Sequence, residues 1–281
     1  MPSNTLTRTP GYVLTGGLAI LFFFPIVWSA VASVSPSPGS NQVFGYGLGN
    51  YATLYNFGVG LPIFFLNSAV ISILTVCFVL SVSLLGGYAF AKFSFPGKNV
   101  IFLTTLAILM VPYATLLIPI YLLHNFARTV PILDQIASLN LVWLALVLGL
   151  FQLPFATYMM RISFESVPRE LEEAALVDGS GTFGVFRHIL LPAVRPGIVT
   201  VGLFAFLAAW NDFFAPLILI NSPSEQPLPL ALVNLRQQTM GAVDFGSTES
   251  GVVVMAIPCL ILFLLLQRYY VRGFMSGAIK G

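Results

Sequence analysis

Long apolar runs separated by short polar segments dominate the chain from end to end. A membrane-crossing helix needs roughly 20 mainly apolar residues. Six stretches qualify: residues 12–32, 63–91, 100–123, 139–160, 197–220 and 251–267. Five of them contain no Asp, Glu, Lys or Arg, and the stretch 197–220 contains Asp212 alone. The pattern predicts an all-α integral membrane protein, one transmembrane domain over residues 1–281 with six helices. Proline interrupts five of the six stretches, as Pro25, Pro112 with Pro119, Pro154, Pro216 and Pro258. Membrane helices tolerate proline where neighbours satisfy the freed carbonyls, and the usual result is a kink. Bent helices around a central pathway and ordinary proline-bearing spans both fit this pattern.

Charge sharpens the picture. Only 8% of the 281 residues are charged while 57% are hydrophobic, against roughly 25% charged in soluble domains. A net charge of +2 offers nothing to a nucleic acid. The basic residues are sorted by side. Arg8, Lys92, Lys98, Arg161, Arg169, Arg187, Arg195, Arg268, Arg272 and Lys280 fall on one side of the predicted spans, and only Arg128 and Arg236 on the other. The positive-inside rule then makes both termini and the loops 92–99 and 161–196 cytoplasmic, and 33–62, 124–138 and 221–250 external. Ala30-Val31-Ala32 resembles a signal cleavage site, but the apolar run before it exceeds a signal's 7–15 residues, so an uncleaved anchor is expected. Cys77 and Cys259 lie far apart in apolar runs and read as small hydrophobes. No Cys/His group has metal-ligand spacing, and no internal repeat of the kind found in many secondary transporters is visible.

The loop 161–196 departs from the rest of the chain. It holds five of the ten acidic residues, Glu165, Glu170, Glu172, Glu173 and Asp178. Ser166 is a candidate N-cap, Pro168 suits a first helical turn, acids crowd the N-terminal turns, and Gly179 with Gly181 supplies the stop. A helix of about 12 residues, roughly 18 Å long, is expected, with Leu171, Ala174, Ala175 and Asp178 on one side. A second short segment, 183–191, ends at Pro192. Two short helices joined by glycine make a projecting knob. A solvated helix lying on the membrane surface is the plainer alternative, but such helices usually carry Lys and Arg opposite bulky apolar residues. Small alanines let another protein surface approach closely.

Glu173-Ala174-Ala175, three residues, Gly179, nine residues, then Ile189-Leu190-Leu191-Pro192 resembles the EAA loop of binding-protein-dependent ABC importer permeases. Trp210-Asn211-Asp212-Phe213 and the ending from Arg272-Gly273-Phe274 to Ser276-Gly277-Ala278-Ile279-Lys280-Gly281 are similar to the carbohydrate-uptake branch, nearest its smaller maltose-type permease subunit. The resemblance implies a type I importer fold in a bacterial or archaeal cytoplasmic membrane. It implies a second homologous permease, a cytoplasmic ATPase dimer and an extracytoplasmic binding protein as partners. It also implies that Glu173, Ala174, Ala175, Asp178 and Gly179, with Leu191 and Pro192, form the contact with the ATPase. ATP and Mg would then sit on that partner, leaving this chain without a cofactor or catalytic residue. The chain's own residues agree: its Gly97-Lys98 pair is followed by Asn99 and lacks the earlier glycine of a phosphate-binding loop.

Candidate pathway residues follow from chemistry. Asp212 is the ionisable group inside a predicted span, and such groups generally face the interior. It is expected either to line the path or to hold bent helices. Aromatic faces and amides suit sugars, which adds Asn67, Tyr113, Gln152, Trp210 and Asn211. The polar outer segment 221–250, with Glu225, Arg236, Gln237, Gln238, Asp244 and Glu249, is the candidate contact for a binding protein. A proton- or sodium-coupled transporter would be expected to carry several intramembrane carboxylates or histidines. A membrane enzyme would need a nucleophile elbow, a metal motif or paired carboxylates. A permease for amino acids, peptides or ions remains the alternative to sugar.

Overall fold

The computed structural model describes residues 9–37, 44–238 and 244–278, and their side chains except at 9–11, 13, 237, 238 and 268–278. Arg8, Ile279, Lys280 and Gly281 lie outside the described residues, as do the side chains of Gln237, Gln238, Arg268 and Arg272. In chain order the helices are α1 (Thr9–Val34), α2 (Gly49–Tyr55), α3 (Leu61–Lys92), α4 (Lys98–Ala107), α5 (Tyr113–Ala127), α6 (Pro131–Ala137), α7 (Asn140–Glu165), α8 (Arg169–Val177), α9 (Thr182–Val185), α10 (Leu191–Ala193), α11 (Arg195–Trp210), α12 (Phe214–Leu219), α13 (Leu228–Gln238) and α14 (Phe245–Ala278). No strand occurs among the described residues.

Four helices, α1, α3, α7 and α14, are each long and apolar enough to cross a membrane, and two bent pairs bring the total to six if each pair is one span. One pair covers the expected span 100–123. A 3-10 turn, Ile108–Met110, extends α4, and α5 then leaves at 102° to it. The cause is Pro112. Its ring fixes its own φ and drives the preceding residue out of the helical region, so Val111 and Pro112 are both extended, with ψ 124° each. The expected span 197–220 is also divided. Its helix α11 ends at Trp210, and residues 211–213 separate it from the six-residue α12. The other bent pair is the segment 182–193 with α11, at 72°.

The chain divides into two compact units, Met1–Pro62 with Ala231–Pro258, and Ile63–Leu230 with Cys259–Gly281. In the first unit, the described side chains of α1 are almost all exposed from Tyr12 to Trp28, as suits a helix bathed in lipid. What ties this unit together is polar. Asn50 is fully buried and donates to the carbonyls of Ser33 (2.9 Å) and Ser35 (2.8 Å). Asp244 caps α14: its Oδ1 accepts the Ser247 N–H (2.9 Å) and the Ser37 hydroxyl (2.6 Å). Gly246 is required there, because a Cβ would run into the Asn50 amide.

In the second unit, α3, α7 and α11 pack around Val79, Ala156, Met160, Phe164, Val201 and Ala205. Helices approach closely where one presents glycine. A Cβ on Gly87 of α3 would fall 2.9 Å from the backbone of Met160 and Arg161 on α7. At the opposite end of α3, Asn67 Nδ2 donates to the carbonyls of Ser224 (2.9 Å) and Gln226 (3.0 Å), and the Leu228 N–H donates to Ser68 Oγ (2.8 Å). His124, which lay beyond the predicted span, falls inside α5, buried against the Trp143 ring.

Candidate functional site: a helical knob and a cavity between broken helices

The knob 169–193 is built from short pieces, and each has a local cause. Helix α8 starts at Arg169 with Pro168 extended before it (ψ 139°). The expected N-cap, Ser166, instead closes α7, and its hydroxyl bonds back to the Ser163 carbonyl at 2.8 Å. Because α7 runs on to Glu165, the helix is nine residues rather than about 12. Gly179 stops it as expected, at φ +88°. The Ser180 N–H reaches the Ala175 carbonyl (3.0 Å) and the Gly179 N–H that of Leu176 (3.1 Å), the paired bonds of a glycine C-terminal cap. After Gly181, α9 continues through a π turn, Phe186–Leu190, into α10. The wider turn comes just before Pro192, which has no N–H to offer an α-helical ladder.

The knob is fastened to the spanning helices. Ala175, Val185, Leu190 and Val194 join the core of the second unit. Tyr88 of α3 contacts Phe186 (ring centroids 5.0 Å) and Phe164 of α7 (5.6 Å). Lys92, the last residue of α3, donates to the Val167 carbonyl at 2.8 Å and pairs with Glu172 of α8 at 2.5 Å. Ala175, one of the residues expected at the ATPase contact, faces inward in this chain at 8% exposure. The free face of α8 carries Glu170, Glu173, Ala174 and Val177, with Asp178 and Phe183 beside it. Val177 is 87% and Phe183 73% exposed. Sequence reasoning missed Lys92, Glu172, Val177 and Phe183. Once Ala175 is turned inward, counting 100° per residue puts Glu172 beside it and Val177 opposite, but no linear pattern says which way Ala175 turns.

The second feature is a cavity of about 230 Å³ lined by Ile108, Leu109, Val111, Tyr113, Leu148, Phe151, Gln152, Ala208 and Asp212. Both helix breaks open onto it: Val111 comes from the bend before α5, and Asp212 from the gap before α12. Irregular backbone at membrane depth is tolerated only where protein buries it or a watery cavity receives it. Asp212 spans the two breaks. Its Oδ1 accepts the Ala215 N–H (2.9 Å), capping α12, and its Oδ2 accepts the Tyr113 hydroxyl (2.9 Å) from α5. The Tyr113 ring stands edge-on to Phe151, with centroids 4.6 Å apart.

Three of the six pathway candidates, Tyr113, Gln152 and Asp212, thus meet in one cavity. The other three do not join them. Asn67 is occupied by the backbone of 224–226, Trp210 is buried between Phe65 and Phe206, and Asn211 donates to the Leu207 carbonyl at 2.8 Å. The outer segment 221–250 is also less open than its polarity suggests. Glu225 accepts from Asn140 at 2.6 Å and Asp244 is buried, whereas Arg236 is exposed.

Comparison with known proteins places this architecture. Residues 82–275 match the family described as binding-protein-dependent transport system inner membrane component. Among curated relatives, the trehalose transport system permease protein SugB of Mycobacterium tuberculosis is 30% identical, covering 95% of each chain. The diacetylchitobiose uptake system permease protein DasC of Streptomyces coelicolor is 33% identical over 76% of this chain and 74% of its own. The arabinooligosaccharides transport system permease protein AraQ of Halalkalibacterium halodurans is 31% identical over 96% of both. A chain of the bacterial ABC transporter that imports the acidic polysaccharide alginate shares the fold, with a TM-score of 0.75 at 19% identity, covering 96% of this chain and 98% of that one. The chain is a member of the family of inner-membrane components of binding-protein-dependent transport systems.

Proposed function

We propose that this chain is one of two permease subunits of an ATP-driven importer, and that its knob receives a separate cytoplasmic ATPase. The observation that carries this is the knob itself: a projecting short helix, pinned behind to α3 and α7, that leaves Glu173, Ala174, Val177, Asp178 and Phe183 uncovered. A surface with two large apolar side chains so exposed, on a segment too charged to enter lipid, fits a protein partner. A ligand shifts a conformational equilibrium only through its differential affinity for the two states. ATP bound to a separate subunit therefore has to act through a stiff contact, and the knob supplies one.

The cargo is a sugar or oligosaccharide delivered by an extracytoplasmic binding protein. Support comes from the relatives, whose names specify trehalose, diacetylchitobiose and arabinooligosaccharides, and from the cavity chemistry. Tyr113, Gln152 and Asp212 offer hydroxyl-bonding groups beside the Phe151 ring, a combination suited to a sugar's mixed faces. The test is uptake by a reconstituted complex of both permeases, the ATPase and the binding protein, against a panel of neutral sugars. ATP-dependent uptake that survives an uncoupler and stops without the ATPase is expected. Uptake driven by an ion gradient in the absence of ATP would overturn the assignment.

The Asp212–Tyr113 bond gives a sharper test of the cavity. Tyr113→Phe and Asp212→Asn each weaken or remove the same hydrogen bond to a carboxylate, worth about 1.5–3 kcal/mol. Each is expected to slow initial uptake roughly tenfold, and the double variant little further, because the two share one interaction. Fully additive losses would show that the two side chains act separately.

A further inference from the structure

We propose that Lys92 and Glu172 form a strut that makes the docking helix α8 move as one piece with α3. It rests on the reading of the knob as the ATPase-docking element. A nine-residue helix has little stability of its own, so its attachments decide how it moves. Its apolar attachment is Ala175, a small side chain in a non-directional contact that permits sliding. The charged attachment is Lys92. Its ammonium group reaches the carboxylate of Glu172 on α8 and the carbonyl of Val167, just before α8, at the same time. The two charged side chains are only 8% and 16% exposed, so water competes weakly for them. Removing one partner would leave the other's charge buried.

The position of Lys92 gives the pair its consequence. It is the last residue of a 32-residue helix, about 48 Å long. The other end of that helix is itself fixed, through Asn67 and Ser68, to the segment from Ser224 to Leu228. A push on α8 that passes through Lys92 thus acts on a rod held at both ends and can reach residues 224–228. Among the acids of α8, Glu170 and Glu173 are exposed and available to a partner, whereas Glu172 is turned inward. Lys92 and Glu172 are positioning residues: they touch neither cargo nor nucleotide, and they act through the helices they join.

The experiment uses the complete complex, both permeases with the ATPase, in proteoliposomes with the binding protein. Lys92→Met and Glu172→Gln are expected to retain the ATPase at wild-type stoichiometry. Uptake, and the stimulation of ATP hydrolysis by loaded binding protein, are expected to fall roughly tenfold, the scale of a typical coupling free energy. The double reversal Lys92→Glu with Glu172→Lys restores the ion pair but not the bond to the Val167 carbonyl, which a carboxylate cannot donate, and is expected to recover part of both. Because Glu172→Gln removes the charge at nearly constant volume, it carries the test if Lys92→Met fails to accumulate. Uptake and stimulation within twofold of wild type in Glu172→Gln would overturn the strut. So would a double reversal no better than Lys92→Glu alone, which lacks the same bond to Val167. Failure of the docking reading looks different: the ATPase would then remain bound to a Val177→Arg variant, whose substitution lies on the free face of α8 and leaves the strut intact.

Discussion

Replacement of Gly179 by arginine is expected to abolish ATP-driven uptake while the chain still reaches and spans the membrane. Two effects combine at this position, and they can be separated. The backbone sits at φ +88°, a left-handed conformation that costs an L-residue about 1–2 kcal/mol. A Cβ at Gly179 meets nothing within 4 Å in this chain, so no internal clash is added. Gly179→Ala therefore measures backbone strain alone and is expected to reduce uptake only a few-fold. Gly179→Arg sends a long cation outward from the C-terminal cap of α8, into the space assigned to the ATPase. A loss of roughly a hundredfold is expected, the scale of a disrupted interface hot spot. The discriminating measurement is ATPase retention during purification: lost with arginine, kept with alanine. Wild-type uptake by the arginine variant would remove the coupling role from this loop.

The second large effect is on the fold. Gly87→Leu is expected to prevent a stable protein from accumulating in the membrane. The atoms in the way are backbone atoms, Met160 C and Arg161 N at 2.9 Å from the added Cβ, and a helix backbone cannot rotate aside as a side chain can. The contact between α3 and α7 has to widen, at a cost of about 3 kcal/mol or more. Its neighbour supplies the control. A Cβ on Gly86 would meet Thr157 Cγ2 at 3.5 Å, ordinary van der Waals contact, so Gly86→Ala is expected to be nearly neutral. Thermal stability of the two variants in detergent, read by size-exclusion profile after heating, compares two adjacent glycines with opposite outcomes. Equal stability would mean that α3 and α7 do not need their close approach.

These effects differ in how visible they are in the sequence. The stop at Gly179 is legible, because acids at the start of a helix and glycine at its end reflect local backbone chemistry. Gly86 and Gly87 are indistinguishable in the sequence, and only the facing helix makes one of them intolerant. The same holds around Asp212. Its isolation in an apolar run singles it out, but its partners Tyr113 and Ala215 emerge only when Pro112 turns α5 and α11 breaks at residue 211. Lys92 and Glu172 are 80 positions apart and become one ion pair through packing.

By itself, the sequence determined the all-α membrane class, the apolar segments, the sorting of basic residues and the position and punctuation of the knob. Each depends on hydrophobic length, local charge or backbone conformation, which neighbouring residues report directly. Tertiary structure alone decided that Ala175 faces inward, that the bend at Pro112 reaches 102°, and that Tyr113, Gln152 and Asp212 share one cavity. The physical reason is that these depend on which face of each helix its neighbours cover. In so apolar a chain hydrophobicity alone does not separate the covered face of a spanning helix from the lipid face, although α3 marks its buried side with Ser68, Ser72, Thr75, Ser83 and Gly87.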